Sequence, residues 1–96
     1  MKLRILPSAL KDLTRGRKFY ERLDQPLGGQ FLDSLFGDID SLTHHAGSHR
    51  KVFGYHRLLA RRFPFAIYYK KEGDVCLVWR VLDCRQNPAT TIRALK

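Results

Sequence analysis

The chain has 96 residues, enough for one domain with one modest hydrophobic core, so we expect a single domain over residues 1–96. Hydrophobic residues make up 44% of the sequence and aromatic residues 11%, which is too apolar for a disordered chain. Eighteen Lys and Arg against nine Asp and Glu leave a net charge of +9, which favours an acidic partner: nucleic acid, an anionic membrane surface or an acidic protein segment.

The sequence carries no sign of a membrane or export segment. It has no run of about 20 apolar residues that could cross a bilayer. Its apolar start is too short for a signal peptide and is interrupted by Lys11 and Asp12. We therefore expect a cytoplasmic protein without a membrane partner, in which Cys76 and Cys84 are reduced.

The chain begins with a predicted strand and a predicted helix. Apolar Leu3 and Ile5 alternate with charged residues over 2–6, and Pro7 ends this strand. Four apolar residues then recur at helical spacing: Ala9, Leu13, Tyr20 and Leu23. Basic residues lie elsewhere around this first helix: Lys11, Arg15, Arg17, Lys18 and Arg22. Its basic side is a second candidate surface, although an ordinary solvated helix is the simpler interpretation.

A second helix is predicted after a short turn. Pro26, Gly28 and Gly29 indicate a turn of four or five residues, which predicts two antiparallel helices in a hairpin. The second helix has the clearest 3.6-residue period of the sequence, from Phe31 to beyond Leu42. We expect it to end near Gly47 in a left-handed cap.

The second half of the chain changes to the pattern of strands. Strands are predicted over 55–61, 65–71 and 75–82, with a hairpin turn at 72–74 between the last two. The break at Asn87 leaves a tail that is helical or unstructured. The predicted order is β-α-α-β-β-β with a short C-terminal tail or helix. This is an α+β fold in which the helical hairpin covers one face of a mostly antiparallel sheet and leaves the other face open.

Two segments carry a resemblance to a known family. Residues 63–69 read FPFAIYY, close to the pattern FPYRIYY, and residues 81–88 read VLDCRQNP, close to VLHGRRDP. With the element order, they resemble the RelE/ParE superfamily of toxins from type II toxin–antitoxin systems, over nearly the whole chain. Residues 53–58 and the second helix resemble the ParE-like branch.

The resemblance implies an intracellular toxin paired with an acidic antitoxin, and two activities are known in the superfamily. RelE-type members cut messenger RNA in the ribosomal A site, and ParE-type members inhibit DNA gyrase without hydrolysis.

RNA cleavage needs cations for the phosphate and groups that move protons. This chain has Ala66, Leu59 and Gln86 where RelE-type patterns have basic residues, and no Tyr or His follows Arg85. The sequence therefore favours a ParE-like gyrase inhibitor that is not an enzyme.

Two alternatives stay open. One is a ribosome-dependent endoribonuclease that uses Arg57, Arg61 and Arg85 as catalytic residues. The other is a binding module without toxicity. In each case we expect a hetero-oligomer with an antitoxin, and gyrase or the ribosome is the expected target.

The open sheet face supplies the candidate binding site. Period-two alternation assigns Phe65, Ile67 and Tyr69 to the core. It gives the last strand a core set of Val75, Leu77, Trp79 and Val81. The outward residues form a predicted partner-binding patch: Arg57, Arg61, Tyr68, Lys70, Arg80 and Arg85.

The histidines do not predict a metal site. His44 and His45 are neighbours and so point about 100° apart on a helix, and Gly47 should end that helix before His49. We expect neither a metal nor another cofactor.

Overall fold

The computed structural model describes the whole chain, from Met1 to Lys96. Its elements in chain order are β1 (Lys2–Ile5), α1 (Pro7–Leu23), α2 (Gln25–Asp40), α3 (Leu42–His45), β2 (Lys51–Val52), β3 (Tyr55–Leu59), β4 (Phe65–Glu72), β5 (Val75–Asp83) and α4 (Pro88–Leu95). This confirms the predicted α+β class. No helix is long and apolar enough to span a bilayer.

The strands form one sheet in the order β1-β5-β4-β3-β2. The first strand pairs in parallel with the last, Lys2 opposite Val75 and Ile5 opposite Val78, and the other pairs are antiparallel. The predicted turn between β4 and β5 is confirmed, with Gly73 at a φ of 58°. Because β1 stops at Ile5, the end of β5 has no strand neighbour on that side.

The predicted turn between the two long helices is much shorter than expected. Only Asp24 separates α1 from α2, and Gly28 and Gly29 lie within α2. The prediction of a four- or five-residue turn is therefore wrong. Pro26 is tolerated because it stands in the first turn of α2, where its missing N–H has no helical partner.

Close contacts show that the two helices run antiparallel, as predicted. An ideal Cβ on Gly28 would lie 3.0 Å from the carbonyl oxygen of Arg17, and one on Gly16 would lie 2.4 Å from the ring of Phe31. Residues late in α1 thus meet residues early in α2. The second long helix ends at Asp40, and the short α3 extends the helical segment to His45. Gly47 follows at a φ of 91°, which agrees with the expected left-handed position.

The main core lies between α1, α2 and the sheet. It contains Phe65, Ile67 and Tyr69 of β4, as predicted. It also contains Cys76, Val78 and Val81 of β5. The aromatic rings of Tyr20, Phe31, Phe63 and Phe65 pack together, with the centroids of Phe31 and Phe65 4.9 Å apart.

The predicted core set of β5 is confirmed at Val81 and wrong at Val75, Leu77 and Trp79. Tyr68 pairs with Arg80 and Tyr69 with Val78, so Trp79 is an extra residue in a β-bulge. Because the bulge shifts the alternation by one residue, Cys76 and Val78 face the helices. Trp79 instead packs against the smaller cluster on the other face of the sheet.

The face of the sheet opposite α1 and α2, which we call the outer face, is not fully open. Its residues Ala66, Tyr68 and Leu82 form a buried cluster with Leu95 of α4. The hydroxyl of Tyr55 donates a hydrogen bond of 2.7 Å to the carbonyl oxygen of Leu95. The C-terminal segment is thus a helix that covers part of the predicted binding face.

Candidate functional site

Three residues of the predicted patch stay together on the outer face. Arg57 of β3 lies directly opposite Tyr68 of β4, and Tyr68 is buried in the cluster beneath α4. The ammonium of Lys70 lies 4.8 Å from the ring centroid of Tyr55 and 5.0 Å from that of Trp79. Lys70 is thus held by two cation–π contacts.

Arg80 links α1 to α4 and is not free to meet a partner. Its Nε and Nη2 donate to the carboxylate of Asp12 at 2.7 and 2.8 Å, and its Nη1 donates to the carbonyl oxygen of Ala94 at 2.9 Å. Asp12 is only 6% exposed and also accepts the backbone N–H of Val81. The hydrogen bonds that Arg80 donates to Asp12 raise the pKa of Arg80. The free edge of β5 is therefore closed by a side chain of α1.

Arg61 and Arg85 are also held by carboxylates of the same chain. The Nε of Arg61 donates to Asp38 at 3.0 Å, and the backbone N–H of Arg61 donates to the same carboxylate at 3.2 Å. Asp38 belongs to α2 and is only 3% exposed. Arg85 makes a two-point contact with Asp83, at 2.7 and 3.0 Å, and this contact lowers the pKa of Asp83.

The structure thus divides the predicted patch into two groups. Arg57, Tyr68 and Lys70 share the outer face, whereas Arg61, Arg80 and Arg85 are held by buried or half-buried carboxylates. The expectation of one continuous cationic face is wrong in this respect. Period-two reasoning places side chains on faces of a sheet, but it cannot show which cations meet acidic residues of distant helices.

Two of the three positions that separate the activities of the superfamily lie next to each other, while the third, Gln86, lies apart from them. Leu59 pairs directly with Ala66 across β3 and β4. Ala66 is 1% exposed in the cluster with Leu95, while Leu59 is 53% exposed at its border. The region where RelE-type patterns have basic residues is therefore apolar.

A cleft lies beside the Asp12–Arg80 ion pair, between α1, the end of β5 and α4. Its volume is about 360 Å³, and its lining includes Arg15, Phe19, Gln86 and Thr90. The ring of Phe19 is partly exposed there. Sequence reasoning missed this cleft. The available signal was Asp12, an acidic residue next to Leu13 on the apolar side of an amphipathic helix.

The side chains that could bind metals are dispersed. No group of three or more His, Cys, Asp or Glu side chains is placed to hold a metal ion. The rings of His44 and His45 are 6.5 Å apart, and both cysteines are free thiols.

Comparisons with known proteins agree with this fold. The family model of the ParE toxin of the type II toxin–antitoxin system parDE matches residues 3–88. A solved chain from the chromosomal ParDE toxin–antitoxin system of P. aeruginosa matches with a TM-score of 0.76 and 21% identity, over 84% of this chain and 92% of that chain. At 21% identity, this match shows a similar fold and nothing further. No curated protein matches the sequence. Because the family match spans most of the chain, the protein belongs to the ParE toxin family of type II toxin–antitoxin systems.

Proposed function

We propose that the protein inhibits DNA gyrase by binding it, without hydrolysing a substrate, and that an acidic antitoxin neutralises it. The observation that carries this proposal is the apolar pair of Leu59 and Ala66, with Ala66 buried next to Leu95. A ribonuclease that acts through the ribose 2′-hydroxyl needs cations at this type of position to stabilise the charged phosphate.

The ion pairs give a second reason to favour binding over RNA cleavage. The alternative assigns catalysis to Arg57, Arg61 and Arg85, yet Arg61 and Arg85 already donate to Asp38 and Asp83. A phosphate would have to compete with Asp83 for the N–H groups of Arg85 and with Asp38 for the Nε of Arg61. Such a site is poorly prepared to stabilise a transition state, because stabilising groups need to be free and oriented beforehand.

The proposed antitoxin contact uses the outer face. Arg57 is the one arginine of the predicted patch without an ion pair, and the exposed side chain of Leu59 lies beside it along β3. An acidic segment with a few apolar side chains matches this combination. The net charge of +9 would speed its approach at low salt.

A supercoiling assay tests the proposed target. We expect the purified protein to block supercoiling of relaxed plasmid by gyrase and the protein mixed with its antitoxin to leave supercoiling unchanged. In cells, expression of the toxin alone should induce the SOS response before translation falls. Active gyrase together with messenger RNA cut at A-site codons would support the endoribonuclease instead. Harmless expression and active gyrase would support a binding module without toxicity.

A further inference from the structure

The turn between β2 and β3 has an unusual backbone. It has two residues, and both have positive φ: 56° at Phe53 and 85° at Gly54. Turns of this kind favour Asn-Gly, because most side chains are unfavourable at positive φ. Phe53 is the only residue other than glycine with a positive φ in the chain, and its side chain is 47% exposed. The turn thus presents an aromatic ring to solvent at a conformational cost, a combination that suggests a function.

A cationic cavity lies directly beside this turn. Its volume is about 270 Å³, and its lining includes Lys51, Gly54, His56, Lys70, Lys71 and Glu72. Neither Lys51 nor Lys71 forms an ion pair with a carboxylate. Glu72 is the only acidic residue in the lining, so the cavity keeps an excess of positive charge. Arg61, Arg80 and Arg85 each donate to a carboxylate of the chain, whereas these lysines have no carboxylate partner that an external anion would have to displace.

The wall of the cavity is held in place by the fold. The Nδ1 of His56 lies 2.6 Å from the carbonyl oxygen of His49, and because a carbonyl only accepts, Nδ1 carries the proton of this bond. The ring of His56 stacks on Tyr69 with centroids 5.1 Å apart, and its Nε2 has no partner in the protein. The side chain of Lys71 passes Gly47, where a Cβ would lie 3.3 Å from its Cδ.

We propose that this end of the sheet is a contact site for nucleic acid. Phosphate groups of the backbone bind in the cavity between Lys51 and Lys71, and an unpaired base stacks on the ring of Phe53. Ammonium groups supply charge and N–H donors to phosphate, and an exposed aromatic ring is the usual platform for a base in a single strand. We assign the site to nucleic acid rather than to an acidic peptide because a single strand carries a base beside each phosphate, which matches an exposed ring beside unpaired cations. This proposal does not depend on gyrase as the target.

Binding of short oligonucleotides tests the cavity. The probe is a fluorescent single strand about 12 nucleotides long, as DNA and as RNA, with a DNA duplex of the same length for comparison. Replacing both lysines, Lys51→Gln with Lys71→Gln, should weaken binding of the single strand about 25-fold at ~0.1 M salt. This follows because each phosphate contact contributes about 0.7 to the slope of log affinity against log salt. The slope itself should fall by about 1.4.

The matched control removes the same charge elsewhere. Lys11 and Lys18 are exposed on α1 and form no ion pair. We expect Lys11→Gln with Lys18→Gln to change the affinity much less than the cavity variant does. Equal weakening by the two double variants would overturn the proposal, because it would show diffuse attraction to a basic protein.

The stacking contact is tested by Phe53→Asn. Asparagine suits the positive φ of this turn, so thermal stability should be unchanged or higher. Affinity for the single strand should nevertheless fall about fivefold or more, while affinity for the duplex changes little. Unchanged affinity for the single strand would overturn the stacking. If a polyglutamate peptide of equal charge binds as tightly as the single strand does and is insensitive to Phe53→Asn, the site serves an acidic protein segment and the proposal is wrong.

Discussion

Two buried carboxylates decide where two of the four patch arginines point. Asp12 and Asp38 each accept a backbone N–H from the strand region and a guanidinium N–H from the same residue or its neighbour. Burying a carboxylate is unfavourable unless a cation and several hydrogen bonds compensate for it. Both acids meet this requirement. Arg80 is largely enclosed as a result, whereas Arg61 donates only through Nε and its side chain stays 81% exposed.

Asp12→Asn tests this role. The substitution removes the negative charge beside Arg80 and turns an amide N–H₂ toward donors, so we expect the free energy of unfolding to fall by about 3 kcal/mol. Urea denaturation measures the loss. The exposed Asp33, which forms no ion pair, supplies the control Asp33→Asn, for which little change is expected. Equal midpoints of urea denaturation for Asp12→Asn and Asp33→Asn would contradict a structural role for Asp12.

His49 makes stability depend on pH. Its Nδ1 shares a hydrogen bond with the hydroxyl of Tyr69, and that hydroxyl accepts the backbone N–H of Gly47 at 2.9 Å. The hydroxyl proton of Tyr69 is therefore free to be donated to neutral His49. Burial first, and then the nearby charges of His56 and His45, lower the pKa of His49 from its ordinary value of 6.5.

We expect acid to weaken the fold through this histidine. Because the pKa of His49 is lower in the folded protein, the unfolded chain binds the proton first as pH falls. Neutral His49 makes its full contribution to the free energy of unfolding above about pH 6.5. This contribution is lost as pH falls through the lowered pKa. Melting temperatures between about pH 7.5 and about pH 5 measure it. His49→Gln should flatten this profile, whereas the exposed His44→Gln should not. Identical profiles for His49→Gln and the unsubstituted protein would refute the assignment.

At the scale of elements, the helix pair depends on one glycine. Gly16 faces the ring of Phe31, with no room for a methyl group, whereas Gly37 of α2 has no atom within 4 Å of an added Cβ. Both lie inside helices, where alanine is otherwise preferred by about 1 kcal/mol.

The two glycines should therefore respond oppositely to alanine. We expect Gly16→Ala to lower the free energy of unfolding by about 1 to 3 kcal/mol, because it forces α1 and α2 apart. We expect Gly37→Ala to raise it by about 0.5 to 1 kcal/mol. Urea denaturation of both variants measures these changes in the free energy of unfolding. A stabilising Gly16→Ala would mean that the helices pack with more space than the structure shows.

The elements themselves were largely predictable from the sequence. The two long helices, the β4–β5 turn and the left-handed Gly47 follow local patterns that the structure confirms. The C-terminal helix could have been predicted outright instead of being left as helical or unstructured, because Asn87 before Pro88 is a helix start signal. In the structure the Asn87 side chain accepts the N–H of Ala89 at 2.8 Å. The bulge at Trp79 had no comparable local signal.

At the scale of the whole molecule, positive charge is unevenly available. The net charge of +9 attracts any acidic partner, but only cations without carboxylate partners can form new contacts. On the outer face Arg57 is such a cation. Reversing the charge of Arg61 by Arg61→Glu would instead place a second carboxylate beside buried Asp38 and would disturb the fold.

Arg57→Glu tests whether the outer face binds the antitoxin. We expect the affinity for the antitoxin to fall at least about tenfold, since a like charge replaces an attractive one. The control is Arg62→Glu, an equal charge change at an exposed residue without an ion pair. Calorimetric titration measures both. If Arg57→Glu binds as tightly as Arg62→Glu, the antitoxin uses another surface.

The sequence by itself determined the order of helices and strands and the strong positive charge, because periodicity, turn residues and composition are properties of short segments. The element order and two short motifs, at 63–69 and 81–88, carried the resemblance to the family. Only the tertiary structure decided which cations remain free and which residues of β5 face the helices. Those outcomes depend on contacts between distant residues: Asp12 with Arg80, Asp38 with Arg61, and Leu95 with Ala66. A one-residue bulge at Trp79 moves side chains to the opposite face, and no local pattern in the sequence indicates it.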